Sequence, residues 1–155
     1  MSTSILENGK LKPGIYQVRN IGVNFTKVQE DVGNLLCVGG HPPSGEGLWD
    51  FQPLGPGYSI RKVEPKDSSK PDRYCTVLEG LGEGSAIAVS PYPTAWRIET
   101  VRNGTIRIFW STTKMVWDPA PWREGENERK VQLFPSRNTG TGQDWWLTPA
   151  RENAT

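Results

Sequence analysis

The sequence has few of the residues that usually mark a catalytic or metal centre. It contains one histidine, His41, and two cysteines, Cys37 and Cys75, among 155 residues. Each cysteine stands in an apolar run ("LLCVGG" and "RYCTVLE"), which favours small buried side chains over a disulfide or metal ligands. No H-E-x-x-H, C-x-x-C or EF-hand pattern occurs, and no nucleophile elbow lies near His41 in the sequence. We therefore expect a protein that is not an enzyme and that needs no metal and no cofactor.

Excess charge and long apolar runs are also missing. Eighteen basic residues oppose 17 acidic ones, so no strong field exists to bind nucleic acid by charge. No stretch approaches the roughly 20 apolar residues of a membrane span, and the opening "MSTSILENGKLKPG" lacks the apolar segment of a secretory signal. We expect no nucleic-acid partner, no membrane insertion and a cytoplasmic location.

Glycine, proline and tryptophan are abundant instead. Seventeen glycines and 13 prolines indicate many short connections, and seven tryptophans are accompanied by runs rich in Val, Ile, Thr and Tyr. This composition predicts an all-β protein. Trp49 precedes Gly57 by eight residues, and Trp96 precedes Gly104 by the same interval. In both places the tryptophan begins one alternating strand and the glycine introduces a second, which is the pattern of a repeated hairpin.

The two ends of the chain complete this repeat. Trp145 begins a strand with no glycine-led strand after it, while Gly14 introduces a strand with no tryptophan eight residues before it. A ring of three units, in which 144–148 pairs with 14–20, satisfies both ends and removes an exposed sheet edge. We predict a β-trefoil in a single domain, 12–150, with units 12–54, 55–101 and 102–150 and flexible termini at 1–11 and 151–155. The twelve predicted strands are 14–20, 24–28, 35–39, 48–53, 57–63, 73–79, 85–89, 95–100, 104–110, 113–118, 129–134 and 144–148.

Recognition is expected in the loops, because the repeated tryptophans Trp49, Trp96 and Trp145 are interpreted as core residues. The candidate loops are 27–34, 64–72, 90–95 and 118–128. Aromatic residues in loops are informative because an exposed ring costs apolar hydration unless a partner covers it. Trp122 and Tyr92 are such residues, whereas alternation alone does not fix which face Trp110 and Trp117 take.

Several motifs resemble those of fungal β-trefoil proteins. They are "GIYQVRN", then "QED", "LL" and "PP" before "WDFQPLGPGYSI", then "PTAWRIE", "VQLFPS" and "DWWLTP". The resemblance is closest to the cospin-type serine protease inhibitors and the mycocypins of mushrooms. It implies a protease inhibitor that inserts a surface loop, with the inhibitory loop formed by Gln29, Glu30, Asp31, Val32, Gly33 and Asn34.

The resemblance leaves the position of the inhibitory contact open. Asn34 is the first candidate for the residue that enters a serine protease's specificity pocket, and Lys66 or Arg123 could offer a positive side chain instead. Inhibition of a cysteine protease in the mycocypin manner would use the loops around Gly22 and Gly40.

A fungal β-trefoil lectin is the alternative function. Ricin-type lectins usually carry Gln-x-Trp in each unit, and here "QDW" at 143–145 fits while "GLW" and "TAW" do not. The stretch "SPYPTAW" is similar to a loop of a small fucose-binding mushroom trefoil. The glycan-binding residues under this hypothesis are Tyr92, Trp110, Trp117, Trp122 and Arg123. The partner is thus a protease or a glycan, and the oligomeric state is left open.

Overall fold

Strands make up the regular structure of the computed structural model, which describes residues 4–20, 24–43, 46–102, 104–121, 125–138, 140 and 142–150. No helix occurs in these ranges, so none that could span a membrane is found there. The strands are β1 Leu6–Glu7, β2 Lys10–Leu11, β3 Gly14–Asn20, β4 Asn24–Gln29, β5 Asn34–Gly39, β6 Leu48–Leu54, β7 Gly57–Lys62, β8 Tyr74–Thr76, β9 Ala88–Ser90, β10 Trp96–Arg102, β11 Thr105–Trp110, β12 Met115–Pro119, β13 Glu128–Pro135 and β14 Trp145–Pro149.

Six strands close into a barrel. The antiparallel neighbours run β3–β6–β7–β10–β11–β14, and β14 returns to β3 through the pairs Leu147↔Val18 and Thr148↔Gln17. The predicted pairing of the last strand with the first is therefore confirmed. Closure matters physically because the barrel then has no open edge on which another chain could add a strand.

The remaining strands form three hairpins, β4–β5, β8–β9 and β12–β13, one in each unit. Asn34 of β5 pairs with Ala88 of β9, Cys37 of β5 pairs with Arg129 of β13, and Ala86 bridges to Gln132 of β13. The hairpins thus contact one another in a threefold arrangement. Together with the closed barrel they form a β-trefoil, as the sequence predicted.

The three repeated tryptophans share one hydrogen-bonding role. The indole nitrogen of Trp49 donates to Thr26 Oγ1 at 2.8 Å, that of Trp96 to the Cys75 carbonyl at 2.8 Å, and that of Trp145 to the Trp117 carbonyl at 3.1 Å. All three rings are fully buried, as predicted for core residues. The bonds also identify Thr26, Cys75 and Trp117 as equivalent positions in the three units.

Both cysteines are free and buried in the core, in agreement with the sequence analysis. Burial raises the pKa of the Cys37 thiol to about 11 and raises the pKa of Cys75 well above its usual value. Neither thiol is therefore a nucleophile at neutral pH, because the thiolate is the reactive form.

Two details differ from the prediction. Residues 6–11 were expected to belong to a flexible end, but β1 and β2 form a hairpin, and Ile5 and Leu11 are buried in the core. Burial of these side chains compensates for ordering the segment. The strands β8 and β9 are shorter than predicted because the glycine-rich stretch 80–84 between them offers few side chains to pack. Residues 151–155 lie outside the described residues.

Candidate functional site

A depression of about 300 Å³ lies in the third unit, where the hairpin β12–β13 meets the end of β3. Asp118 and Gln132 face each other across the hairpin as register partners. Residues two apart on a strand point to the same face, so Gln132 and Phe134 both line the depression while Val131 and Leu133 are buried in the core. The remaining lining residues are Asn20, Pro119, Pro121, Arg129, Arg137 and Gly142.

The carboxylate of Asp118 is held in one orientation by Gln143. Gln143 Nε2 donates to Asp118 Oδ2 at 3.0 Å and to the Pro135 carbonyl at 2.9 Å, and Gln143 Oε1 accepts from the Arg137 amide at 2.8 Å. Gln143 is buried and Asp118 is only 7% exposed. Because both are fixed before any ligand arrives, binding at this carboxylate would cost little side-chain entropy.

Phe134 and two arginines complete the depression. The ring of Phe134 is half-buried, and the guanidinium carbon of Arg137 lies 5.0 Å from its centroid. Arg137 Nη2 is 3.9 Å from Asp118 Oδ2. On another side of the depression, Arg129 Nη2 donates to Asn20 Oδ1 at 3.4 Å. The depression therefore combines one apolar ring, one carboxylate, side-chain amides and two cations.

A buried ion pair supports the segment beneath the site. Arg107 Nε donates to Asp144 Oδ1 at 2.9 Å, and its Nη1 donates to Ser136 Oγ at 3.0 Å and to the Arg137 carbonyl at 2.6 Å. Asn20 Nδ2 donates to the Gly142 carbonyl at 3.2 Å. These bonds fix the backbone on both sides of Gln143, so the shape of the depression depends on the barrel strands β3 and β11.

The other two units do not carry the same chemistry at the equivalent positions. The register of the hairpins aligns Trp117, Thr26 and Cys75, which makes Asp118 equivalent to Lys27 and Thr76. By the same register, the positions of Gln132 and Phe134 hold Leu36 and Val38 in the first unit, and Ala88 and Ser90 in the second. Neither of these two sets contains a carboxylate or an aromatic ring.

The contact between Asp118 and Gln143 is nevertheless repeated in the second unit with smaller side chains. Gln143 lies two positions before Trp145, and the residues two positions before Trp96 and Trp49 are Thr94 and Gly47. Thr94 Oγ1 and Thr76 Oγ1 are hydrogen-bonded at 2.7 Å. A hydrogen bond between these two positions is therefore present in the second and third units, but only in the third unit is one of the partners charged.

A larger depression, of about 580 Å³, lies beside the N-terminal hairpin. Much of its wall is Pro53, Gly55, Pro56 and Gly57, and its arginine is already engaged. Arg97 donates to the carbonyls of Ser111 and Thr113, stacks on Phe109 and pairs with Glu99. We regard the depression in the third unit as the better candidate site because its polar groups converge on the Phe134 ring.

The predicted inhibitory loop is a compact turn. The amides of Val32 and Gly33 both donate to the Gln29 carbonyl, at 3.2 and 2.7 Å, and Gln29 pairs with Asn34. Asn34 is the first residue of β5, is half-buried and also pairs with Ala88 on its other edge. Its entry into a protease pocket stays a prediction. Glu30, Asp31 and Val32 form the exposed tip of the turn.

The turn is tied to the neighbouring unit through Glu30. Arg73 Nη1 contacts Glu30 Oε2 at 2.6 Å, and Lys70 Nζ contacts Glu30 Oε1 at 3.3 Å. The hydrogen bond from Arg73 lowers the pKa of Glu30 to about 2. Lys66 and Gly40, the other candidates for a protease contact, are exposed, while Gly22 lies outside the described residues.

Three of the five residues predicted for a glycan site lie within the described part of the chain. Tyr92 is 76% exposed in the loop between β9 and β10, and Trp110 is half-buried with its ring edge-on to Trp96 at 5.1 Å. Trp117 is only 1% exposed, between Trp96 and Trp145, so the expectation that it binds glycans is corrected. Every residue of β12 after Met115 is buried, and Trp117 belongs to the core. Trp122 and Arg123 lie outside the described residues.

The sequence analysis included Asp118 only as the first residue of the candidate loop 118–128, and it did not identify Gln132 or Phe134 as binding residues. The available signal was the "QLF" of "VQLFPS", which alternates around the core residues Val131 and Leu133, together with the one Gln-x-Trp at 143–145. Joining these signals requires the cross-strand register of β12 and β13 and the contact of Gln143 with Asp118, which sequence spacing does not reveal.

Comparison with known proteins finds the fold but no sequence family. No model of a protein family and no curated protein matches the chain. Among solved structures, the ricin B-like lectin of Macrolepiota procera in complex with lactose superimposes with a TM-score of 0.72 at 19% identity, covering 94% of this chain and 99% of the lectin. ThreeFoil, a designed protein of threefold symmetry, gives 0.68 at 15% identity over 88% of this chain and 99% of its own.

The Polyporus squamosus lectin, bound to the epitope Neu5Acα2-6Galβ1-4GlcNAc, gives a TM-score of 0.67 at 16% identity. The match covers 90% of this chain and half of that lectin chain. At these identities the likenesses show the β-trefoil fold, in agreement with the closed barrel and the three hairpins.

Proposed function

We propose that this protein is a lectin that binds a glycan in the depression of the third unit. The observation that carries the proposal is the half-buried ring of Phe134 beside the oriented carboxylate of Asp118. Sugars present both an apolar C–H face and a rim of hydroxyl groups, so they are recognised by an aromatic ring combined with a few fixed polar groups. Binding, and not catalysis, is the activity proposed.

Each lining residue has a role in this proposal. Phe134 would stack against the apolar face of one sugar ring. Asp118 would accept hydrogen bonds from adjacent hydroxyl groups, and these bonds are strong because the acceptor is ionised. Gln132, as the register partner of Asp118, would bond a further hydroxyl group with its amide. Gln143 supports the site from below through Asp118.

The structural neighbours support a glycan partner. Two of them are lectins in complex with lactose and with a sialylated oligosaccharide. They favour the lectin hypothesis over the inhibitor hypothesis, and the compact turn at Gln29–Asn34 gives no independent support to a protease partner. A cytoplasmic location remains a proposal from the sequence.

The test is a glycan array followed by calorimetric titration of the best ligand. Asp118→Asn keeps the shape of the side chain and an acceptor for Gln143, but it removes the charge. Loss of one or two charge-assisted hydrogen bonds should weaken binding by about tenfold to a hundredfold. Lys27→Asn, at the equivalent position of the first unit, is the matched control and should leave the affinity unchanged. An array without any signal, or equal effects of the two variants, would refute the proposal.

A further inference from the structure

The charged groups around the depression point to a particular class of glycan. We infer that the site selects an anionic sugar, one that carries a carboxylate or sulfate group next to the ring stacked on Phe134, and that Arg137 is the residue that binds the anion. This inference rests on the proposed function.

Arg137 has a fixed backbone and an exposed side chain with weak contacts. Its amide donates to Gln143 Oε1 at 2.8 Å, and its carbonyl accepts from Arg107 Nη1 at 2.6 Å. Its side chain, by contrast, is 57% exposed, and its Nη2 is 3.9 Å from Asp118 Oδ2. That distance exceeds the roughly 2.7–2.9 Å of a charge-assisted hydrogen bond, and an exposed pair of this kind is weak. The guanidinium can therefore leave Asp118 for a ligand at small cost.

The position of Arg137 places it beside any sugar in the site. Its guanidinium lies over the Phe134 ring, 5.0 Å from the centroid. A sugar that stacks on this ring must displace the guanidinium toward the rim, where it adjoins the edge of the bound sugar. Binding of a neutral sugar would break the cation–π contact between Arg137 and Phe134 and put nothing in its place. Binding of an anionic sugar would replace that contact with a bidentate ion pair to Arg137.

The charge balance of the lining favours an anion as well. Among the described residues that line the depression, the charged side chains are Asp118, Arg129 and Arg137. Arg107 and Asp144, directly behind the lining, form their own pair at 2.9 Å and cancel. Arg137 is the most exposed of these charges, so an anionic ligand can offset its charge where a neutral ligand cannot.

The experiment compares lactose with its 3′-sulfated and 3′-sialylated derivatives by titration calorimetry. The wild type should bind at least one anionic derivative about tenfold more tightly than lactose at about 0.05 M salt, and this advantage should shrink at about 0.5 M salt because exposed charges are screened. Arg137→Gln should abolish the advantage of the anionic derivatives over lactose. Lys66→Gln, which changes the net charge equally on an exposed loop of the second unit, should retain the advantage.

The outcomes separate this inference from the proposed function. If lactose binds as tightly as both derivatives, or if Arg137→Gln keeps the advantage, the inference is wrong and the lectin proposal stands. A gain for only one derivative supports the inference and identifies the anion. If a neutral glycan other than lactose is found on the array, its sulfated and sialylated forms replace the lactose series. If no glycan binds at all, both proposals fail.

Discussion

Single residues at the centre of the barrel differ in how well their polar atoms are satisfied. Trp117 and Trp145 are both fully buried and lie edge to face, with ring centroids 5.9 Å apart. Trp145 Nε1 donates to the Trp117 carbonyl at 3.1 Å, whereas Trp117 Nε1 has no hydrogen-bond partner within the described part of the chain. The two indoles are therefore expected to contribute differently to the stability of the fold, although both are fully buried.

Replacing each tryptophan by phenylalanine should expose this difference. Both changes remove similar volume and leave a similar cavity, but Trp145→Phe also leaves the Trp117 carbonyl without its partner. We expect Trp145→Phe to lower the free energy of unfolding by about 1 kcal/mol more than Trp117→Phe. Urea denaturation monitored by circular dichroism measures both values. Equal losses would show that the indole bond of Trp145 contributes nothing net.

At the scale of elements, sequence patterns predicted the strands better than the site. The intervals from Trp49 to Gly57 and from Trp96 to Gly104 indicated hairpins because alternation and turn residues are local signals. The hairpin β1–β2 was missed because two-residue strands carry no measurable periodicity. The site combines β12, β13 and Gln143, which lies two residues before β14, and its key contact joins Asp118 to Gln143 across 25 residues. Such contacts depend on tertiary register, which local patterns do not encode.

Acidic pH should loosen the contact between the β4–β5 turn and the loop after β7. Glu30 binds Arg73, and Arg73 also binds Glu64 at 2.6 Å, so one guanidinium joins the two segments. The bond from Arg73 lowers the pKa of Glu30 from 4.5 to about 2. A lowered carboxyl pKa stabilises the fold above the unfolded value of about 4.5, and the stabilisation is lost as pH falls toward 2.

The variant Glu30→Gln tests this contact. Half of the Glu30 side chain is exposed, so solvent screening limits the effect to at most about 1 kcal/mol at pH 7. The difference in unfolding free energy between wild type and variant should shrink as the pH falls from about 4.5 to about 2. Asp31→Gln, at the neighbouring exposed position of the turn, is the control and should show little effect. A difference as large at pH 2 as at pH 7 would contradict the assignment to Glu30.

At the scale of the whole molecule, closure of the barrel makes the two ends of the domain depend on each other. The amide of Leu147 donates to the Gly104 carbonyl at 3.0 Å, and Leu147 pairs with Val18 of the first barrel strand. Both side chains belong to the same buried core. The strand β14 therefore links the third unit to the first, and no barrel strand can leave without opening the ring.

Weakening β14 should consequently destabilise the first unit as much as the third. Leu147→Ala removes a core side chain that is 4% exposed, at an expected cost of about 2–4 kcal/mol. Thr148→Ala, the exposed neighbour on the same strand, should change stability by less than about 0.5 kcal/mol. Native-state hydrogen exchange should show the same loss of protection for the amides of Val18 and Leu147, because both exchange only when the closed barrel unfolds as one unit. Loss confined to Leu147 would mean that β14 frays alone and that the ring is not a single cooperative structure.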